Sequence, residues 1–165
     1  EPNEVITGNK DISSVQEGLC HAASRTNQPD ARLWLRRWER LRVKLEGVSS
    51  PAMVESTALH IAARKGLEHI AADLIKYGFD VNSKSMGSTP LHLAAENSHE
   101  GVIRLLVDQD ADITIKIDNL GYIALHIIAY RGNTSAIQYL LAEGADINAL
   151  DKINATPLHW ASFRA

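Results

Sequence analysis

Cysteine is nearly missing from this sequence: a single residue, Cys20, excludes an intrachain disulfide framework and suits a reducing compartment. Long apolar runs are missing too. None approaches the roughly 20 residues a helix needs to cross a bilayer, so no transmembrane span is expected. A signal-peptide pattern of basic start, apolar run and small cleavage site is absent, and the first residue is Glu1 rather than Met. The stretch is therefore expected to be a piece of a longer intracellular, cytoplasmic chain. The motifs that carry common chemistries are also lacking: there is no glycine-rich phosphate loop, nucleophile elbow, His-Glu-x-x-His or paired cysteines. No catalytic residue, cofactor or metal is expected in this segment, although a longer parent could hold a catalytic domain.

What is present is an ordinary soluble composition, with 165 residues, 45% hydrophobic and 22% charged. The net charge of -3 is unevenly spread. Between Arg32 and Glu46 lie six basic residues against Glu39 and Glu46, a balance of +4, which leaves -7 for the remainder.

One heptapeptide organises the chain. Thr89-Pro90-Leu91-His92-Leu93-Ala94-Ala95 has counterparts beginning at Thr57, Ile123 and Thr156, and their histidines, His60, His92, His126 and His159, stand 32, 34 and 33 residues apart. A fixed period in that range means stacked supersecondary units. Spacing within the units is uneven in an informative way. From Thr57, Thr89 and Ile123 to Asp80, Asp112 and Asp146 it is 23 residues each time, whereas from those aspartates to the next unit it is 9, 11 and 10. Helices that stack cannot gain a residue without rotating their apolar face, but a solvent-facing turn can.

These four heptapeptides resemble the ankyrin repeat family. The resemblance implies an all-α solenoid of helix-turn-helix units joined by hairpin-like fingers, with repeats at 56–88, 89–122 and 123–155 and a partial one at 156–165. Leu19-Cys20-His21-Ala22-Ala23 aligns with the same heptapeptide, so residues 1–55 are expected to form a divergent helical cap, with extra chain at 24–29 and in a loop at 47–55. A basic helix over about 30–46 would set Trp34, Trp38, Leu41 and Leu45 on one stripe and Arg32, Arg36 and Arg40 opposite. Two readings of it stay open: an outer helix with solvated arginines, or a face for nucleic acid or an anionic membrane carried by Arg32, Arg36, Arg37, Arg40 and Arg42.

Within the repeats, Thr89 and Thr156 suit N-caps and Pro90 and Pro157 the first helical position, while Gly66, Gly78, Gly132 and Gly144 suit left-handed helix ends. Ser98 and Asp110 replace two such glycines, at about 1 kcal/mol each if the backbone stays left-handed. Ile123 and Ala124 replace Thr-Pro, losing a cap worth about 1 kcal/mol, and Ile128 stands where a small residue is usual, so the third repeat is expected to be irregular. Neighbouring repeats lie about 10 Å apart. The four periodic histidines therefore cannot converge on one metal ion, and the resemblance gives them backbone hydrogen bonds between units. His69 and His99 are expected to be solvated, and Asp80, Asp112 and Asp146 to be turn residues.

The resemblance further implies that finger tips and exposed inner-helix positions grip a protein partner. On this sequence those positions include Met86, Glu96, Asn97, Leu120, Tyr122, Tyr130, Arg131, Lys152, Ile153, Phe163 and Arg164. Leu120 and Ile153 could instead pack between fingers, and Ile115 and Ile117 are open to either role. Asn82 and Asn148 also resemble the asparagine-hydroxylation context of some repeats of this kind. The expected function is a monomeric scaffold that binds a protein rather than nucleic acid or membrane. An intramolecular brace for a catalytic domain is the remaining alternative.

Overall fold

The structure is a computed structural model that describes residues 52–163 together with Gly18, Arg32, Leu33 and Arg36, the side chains of 52–57 excepted. Most of the expected N-terminal cap, with Cys20, His21, the tryptophan stripe, Arg37, Arg40 and Arg42, lies outside the described residues, as does Arg164.

From residue 52 onward seven helices follow one another: α1 (Ala52–Lys65), α2 (Glu68–Lys76), α3 (Pro90–Glu96), α4 (Glu100–Asp108), α5 (Ala124–Arg131), α6 (Thr134–Ala142) and α7 (Pro157–Ser162). Inner helices α1, α3, α5 and α7 pack in a row, outer helices α2, α4 and α6 form a second row, and each outer helix packs on the inner helix before it. Helix α1 starts earlier than expected. It occupies 52–55, which was expected to be loop, and Thr57 lies inside it rather than at a cap.

Every helix pair turns in the same way. At the inner reversals Leu67, His99 and Asn133 N–H donate to the Ala62, Ala94 and Ile128 carbonyls, and at the outer reversals Phe79, Ala111 and Ala145 donate to Leu74, Leu106 and Leu140. This six-to-one bond needs a left-handed residue just before its donor. Gly66, Gly78, Gly132 and Gly144 supply it, and Ser98 and Asp110 are driven to φ 58 and 62 in the same slots. At Gly66 a side chain is excluded for a second reason: an added Cβ would stand 2.6 Å from the His99 ring. His99 is not simply solvated, because its Nε2 sits 3.0 Å from the Arg64 carbonyl, tying the end of α1 to the next repeat.

The core runs unbroken along the stack, with Leu59, Leu74, Leu91, Ile103, Leu106, Leu125, Ile128 and Leu140 fully buried. Ile128 fills interior space and Ile123 is also buried, so the third repeat exchanges a cap oxygen for apolar burial. Its outer helix has 9 residues like the other two, its inner helix has 8 where that of the second repeat has 7, and the expected irregularity does not appear in them. On the outer rows a polar band joins α4 to α6. Arg104 donates to Glu100 through Nε and Nη2 at 3.0 and 2.9 Å and lies 4.5 Å over the Tyr139 ring, whose hydroxyl donates to Asp108. The Ser135 hydroxyl, and then Arg104, hold the half-buried Glu100 carboxyl below the usual carboxylate range.

The periodic histidines bond through their ring nitrogens, His126 through both. Nδ1 accepts the cap N–H of its own helix, from Thr89 to His92 at 3.3 Å, Ile123 to His126 at 3.3 Å and Thr156 to His159 at 3.1 Å, as a glutamine does in a capping box. Isoleucine has no side-chain oxygen, so at Ile123 only this half of the box survives. Nε2 reaches forward to the next finger: His60 to the Ser88 carbonyl and His126 to the Ala155 carbonyl, both at 3.0 Å. His60 Nδ1 is buried without a partner, since Thr57 lies inside α1 and offers no cap N–H, and His92 is the exception at Nε2. Its finger is the longest, and its buried Nε2 has no hydrogen-bond partner. Burial pushes the His92 ring down to about 4, only partly offset by the nearby Ile115 and Tyr122 carbonyls, and burial lowers His60 as well.

Two outcomes follow for stability. Ser98→Gly and Asp110→Gly should each stabilise the fold by about 1 kcal/mol, the serine change more, read as a thermal midpoint raised by several degrees. His92 is neutral when folded, so its contribution is complete above its unfolded value near 6.5 and is lost as pH falls toward 4. Between those limits the wild type should lose about 3 kcal/mol more than His92→Gln, which keeps the cap acceptor but cannot titrate, in urea unfolding. Equal losses would contradict the assignment.

Candidate functional site

Between each outer helix and the next inner helix the chain runs out into a finger. An aspartate starts each one. Asp80, Asp112 and Asp146 Oδ1 accept the N–H two residues on, from Asn82, Thr114 and Asn148, at 2.8 to 2.9 Å. Asn82 also spans to the next finger, its Oδ1 accepting Asp112 N–H at 2.7 Å and its Nδ2 donating to the Asp110 carbonyl. The tips then differ in length, the second the longest and the first the shortest: Ser85 and Ser88 bond reciprocally, Ile117 N–H donates to Tyr122, and Asp151 N–H donates to Ala155. Among the described residues these fingers hold one isolated bridge, Ser85 to Ser88, and the strand-like alternation at 113–117 forms no strand. Ile117 is buried and packs; Ile115 is half-buried.

Along the inner edge the last repeats gather an aromatic cluster. Trp160 of α7 stands 4.8 Å from Tyr122, 5.8 Å from His126 and 6.3 Å from Tyr130, measured between ring centroids. Asp151 fixes it: Oδ2 accepts Trp160 Nε1 at 2.9 Å, while Oδ1 accepts Ile153 and Ala155 N–H at 2.9 and 2.8 Å. Burial pushes the Asp151 carboxyl up, yet these three bonds outweigh it and hold the group below the usual range. Burial, followed by the charge of Glu96, raises the Tyr122 hydroxyl.

The residues singled out from the sequence divide into three sets. Met86, Leu120 and Ile153 are exposed at three finger tips, and Lys152 is exposed beside them. Tyr130 and Arg131 are exposed at the end of α5, with Tyr122 half-buried behind Trp160. Glu96 and Asn97 end α3, where Asn97 Nδ2 donates to the Leu93 carbonyl of its own helix, and Phe163 follows α7 in solvent. Of the basic set, Arg32 lies 3.4 Å from Asp73 on α2 and Arg36 is exposed.

Sequence reasoning passed over Trp160 as an organiser, because it stands where other repeats have Leu or Ile. It also passed over Asp151, although an aspartate nine residues before a tryptophan offered a weak signal. Leu158 is 76% exposed although its counterparts Leu91 and Leu125 are 2% exposed; among the described residues no helix pair follows α7 to cover it.

These features define a stack of helix-turn-helix repeats presenting one continuous edge of fingers and inner helices. The family model described as ankyrin repeats (3 copies) matches residues 19–117 and again 116–164. Alpha-latrotoxin-Lt1a of Latrodectus tredecimguttatus is 35% identical over 156 residues, covering 89% of this chain and 11% of the relative. Alpha-latrotoxin-Lh1a of Latrodectus hasselti is 31% identical over 82% of this chain and 10% of its own length. Neurogenic locus notch homolog protein 1 of Homo sapiens is 33% identical over 64% of this chain and 4% of the relative. The chain belongs to the ankyrin repeat family. It spans about a tenth or less of these relatives.

Asp151→Ala should free the Trp160 indole and unpin the third finger, costing about 2 kcal/mol. Tryptophan emission red-shifted in the native state would accompany the lower thermal midpoint; an unchanged midpoint would show the three bonds to be inconsequential.

Proposed function

We propose that this chain is a protein-binding scaffold that grips its partner with the concave edge formed by the fingers and helices α3, α5 and α7. Ankyrin repeats are generally protein–protein interaction modules, and the fold is non-catalytic. The observation that carries the finer reading is Tyr130, 44% exposed and set edge-on against Trp160, with exposed Arg131 beside it. Tyrosine, tryptophan and arginine dominate binding energy at interfaces. A ring already held by packing and by the Trp160 to Asp151 bond loses little freedom on binding.

The proposal includes a monomer in an intracellular, cytoplasmic setting, supported by the single cysteine. It prefers a protein to nucleic acid or membrane. The ion pair of Arg32 with Asp73 supports a packing role for the N-terminal basic stretch. Among the described residues, no helix is long and apolar enough to cross a membrane.

The test is recovery of partners from lysate by wild type and by Tyr130→Ala/Arg131→Ala, both first shown to melt at the same temperature. Tyr122 is left intact because its ring supports Trp160. A protein recovered at least tenfold less by the variant is the expected result. Equal recovery would move the site elsewhere, and steep loss with salt would point to the arginines of the N-terminal stretch.

A further inference from the structure

Three of the four periodic histidines receive the N–H of an extended capping residue at Nδ1. Thr89, Ile123 and Thr156 stand at φ -93, -96 and -91 with ψ 166, 170 and 166, and each donates to the histidine three residues on. The first repeat breaks this rule. Thr57 is the corresponding residue, but α1 runs back to Ala52 and holds it in mid-helix, so His60 Nδ1 is buried with no partner. The ring is nonetheless posed for a cap. Its Nε2 meets the Ser88 carbonyl at 3.0 Å, just as His126 Nε2 meets the Ala155 carbonyl at 3.0 Å while its Nδ1 accepts Ile123 N–H. With the proton at Nε2 for that bond, His60 Nδ1 carries a lone pair and lacks only a donor.

An unmet acceptor in the interior costs free energy that a donor would recover. Against this stands the helical extension itself, whose six residues Ala52-Met53-Val54-Glu55-Ser56-Thr57 include three weak helix formers, Val54, Ser56 and Thr57. Each arrangement forfeits something the other keeps. We propose that residues 52–57 are a switch segment: α1 exchanges between the long form and a short form beginning at Ala58, in which Thr57 turns extended and its N–H closes on His60 Nδ1. In the short form the first repeat is capped as the later ones are, and residues 52–56 leave the helix as a strap. The stack, the fingers and the concave edge are the same in both forms. The exchange therefore acts on how the chain before residue 58 is attached to the stack.

Proline separates the two forms. At position 58 it would lie inside the long helix, where it removes a helical N–H and collides with the carbonyl of residue 54, but it would be the first residue of the short helix, where proline is favoured. Pro90 and Pro157 hold the equivalent position and are buried there, as Ala58 is. Ala58→Pro should keep the thermal midpoint within about 2 degrees of wild type or raise it. Its Cα chemical shifts at 53–56 should lose their helical displacement, and the His60 Nδ1 nitrogen resonance should move toward that of His126. In the wild type the Ser56 amide should exchange hydrogen at least tenfold faster than those at 61–65. Ala124→Pro, placed where α5 already begins behind its cap, calibrates the substitution. An Ala58→Pro midpoint about 10 degrees or more below that of Ala124→Pro would overturn the inference. So would a wild-type Ser56 amide as slow as those at 61–65, or a His60 nitrogen unmoved by the proline.

Discussion

Two chain reversals per repeat, closed by the same six-to-one hydrogen bond, set the register on which the rest of this molecule depends. The bond fixes where each outer helix begins relative to its inner helix, and so which residues face the next repeat. Its requirement is backbone geometry, not side-chain identity. That is why Ser98 and Asp110 adopt the left-handed conformation although neither is glycine. Packing against α2 and α6 leaves no alternative path, and the cost is absorbed locally by a core that runs through the repeat.

Once the helix pairs are held at constant length, every insertion falls in a finger, and the consequence reaches back to the histidines. A ring fixed at Nδ1 by its own cap has one direction left for Nε2. With a tip closing at Ala155 the Nε2 of His126 meets a carbonyl at hydrogen-bond distance, but in the longest finger that of His92 has no hydrogen-bond partner. The second repeat thus holds two strained reversals and an orphaned imidazole nitrogen, while the first repeat holds another at His60 Nδ1. The third repeat, which lost its cap oxygen, recovers by burying Ile123 and Ile128.

Much of this was legible in the sequence. The period gave the stack, the constant 23-residue interval located the helices, and the substituted glycines pointed to the strained reversals. Less was legible where a residue's role depends on its neighbour in the next repeat. The spacing of 9, 11 and 10 showed unequal fingers but not that one of them strands His92. His99 reads as a surface residue until the carbonyl at the end of α1 is placed beside it. Leu158 is exposed although its equivalents Leu91 and Leu125 are core, and the start of α1 was hidden by a divergent sequence before Thr57. Site residues were legible as positions only. Exposure at Met86, Leu120 and Ile153 depends on three-dimensional finger geometry.

Rigid helices and variable fingers would ordinarily conflict, because a loop long enough to vary is free to move, and ordering it on binding costs free energy. Here the fingers are tied laterally. Asn82 grips the next finger at its base, and Lys84, Lys116 and Lys152 grip neighbouring fingers near the tips. The donors are single side chains and the acceptors are mostly main-chain carbonyls, which every residue offers. Tip sequence can therefore change without undoing the ties, provided the lysines stay. That arrangement separates the residues that hold the surface from those that give it specificity. It makes an exposed methionine, leucine and isoleucine tolerable on an otherwise polar edge, as parts of a surface ordered before any partner arrives.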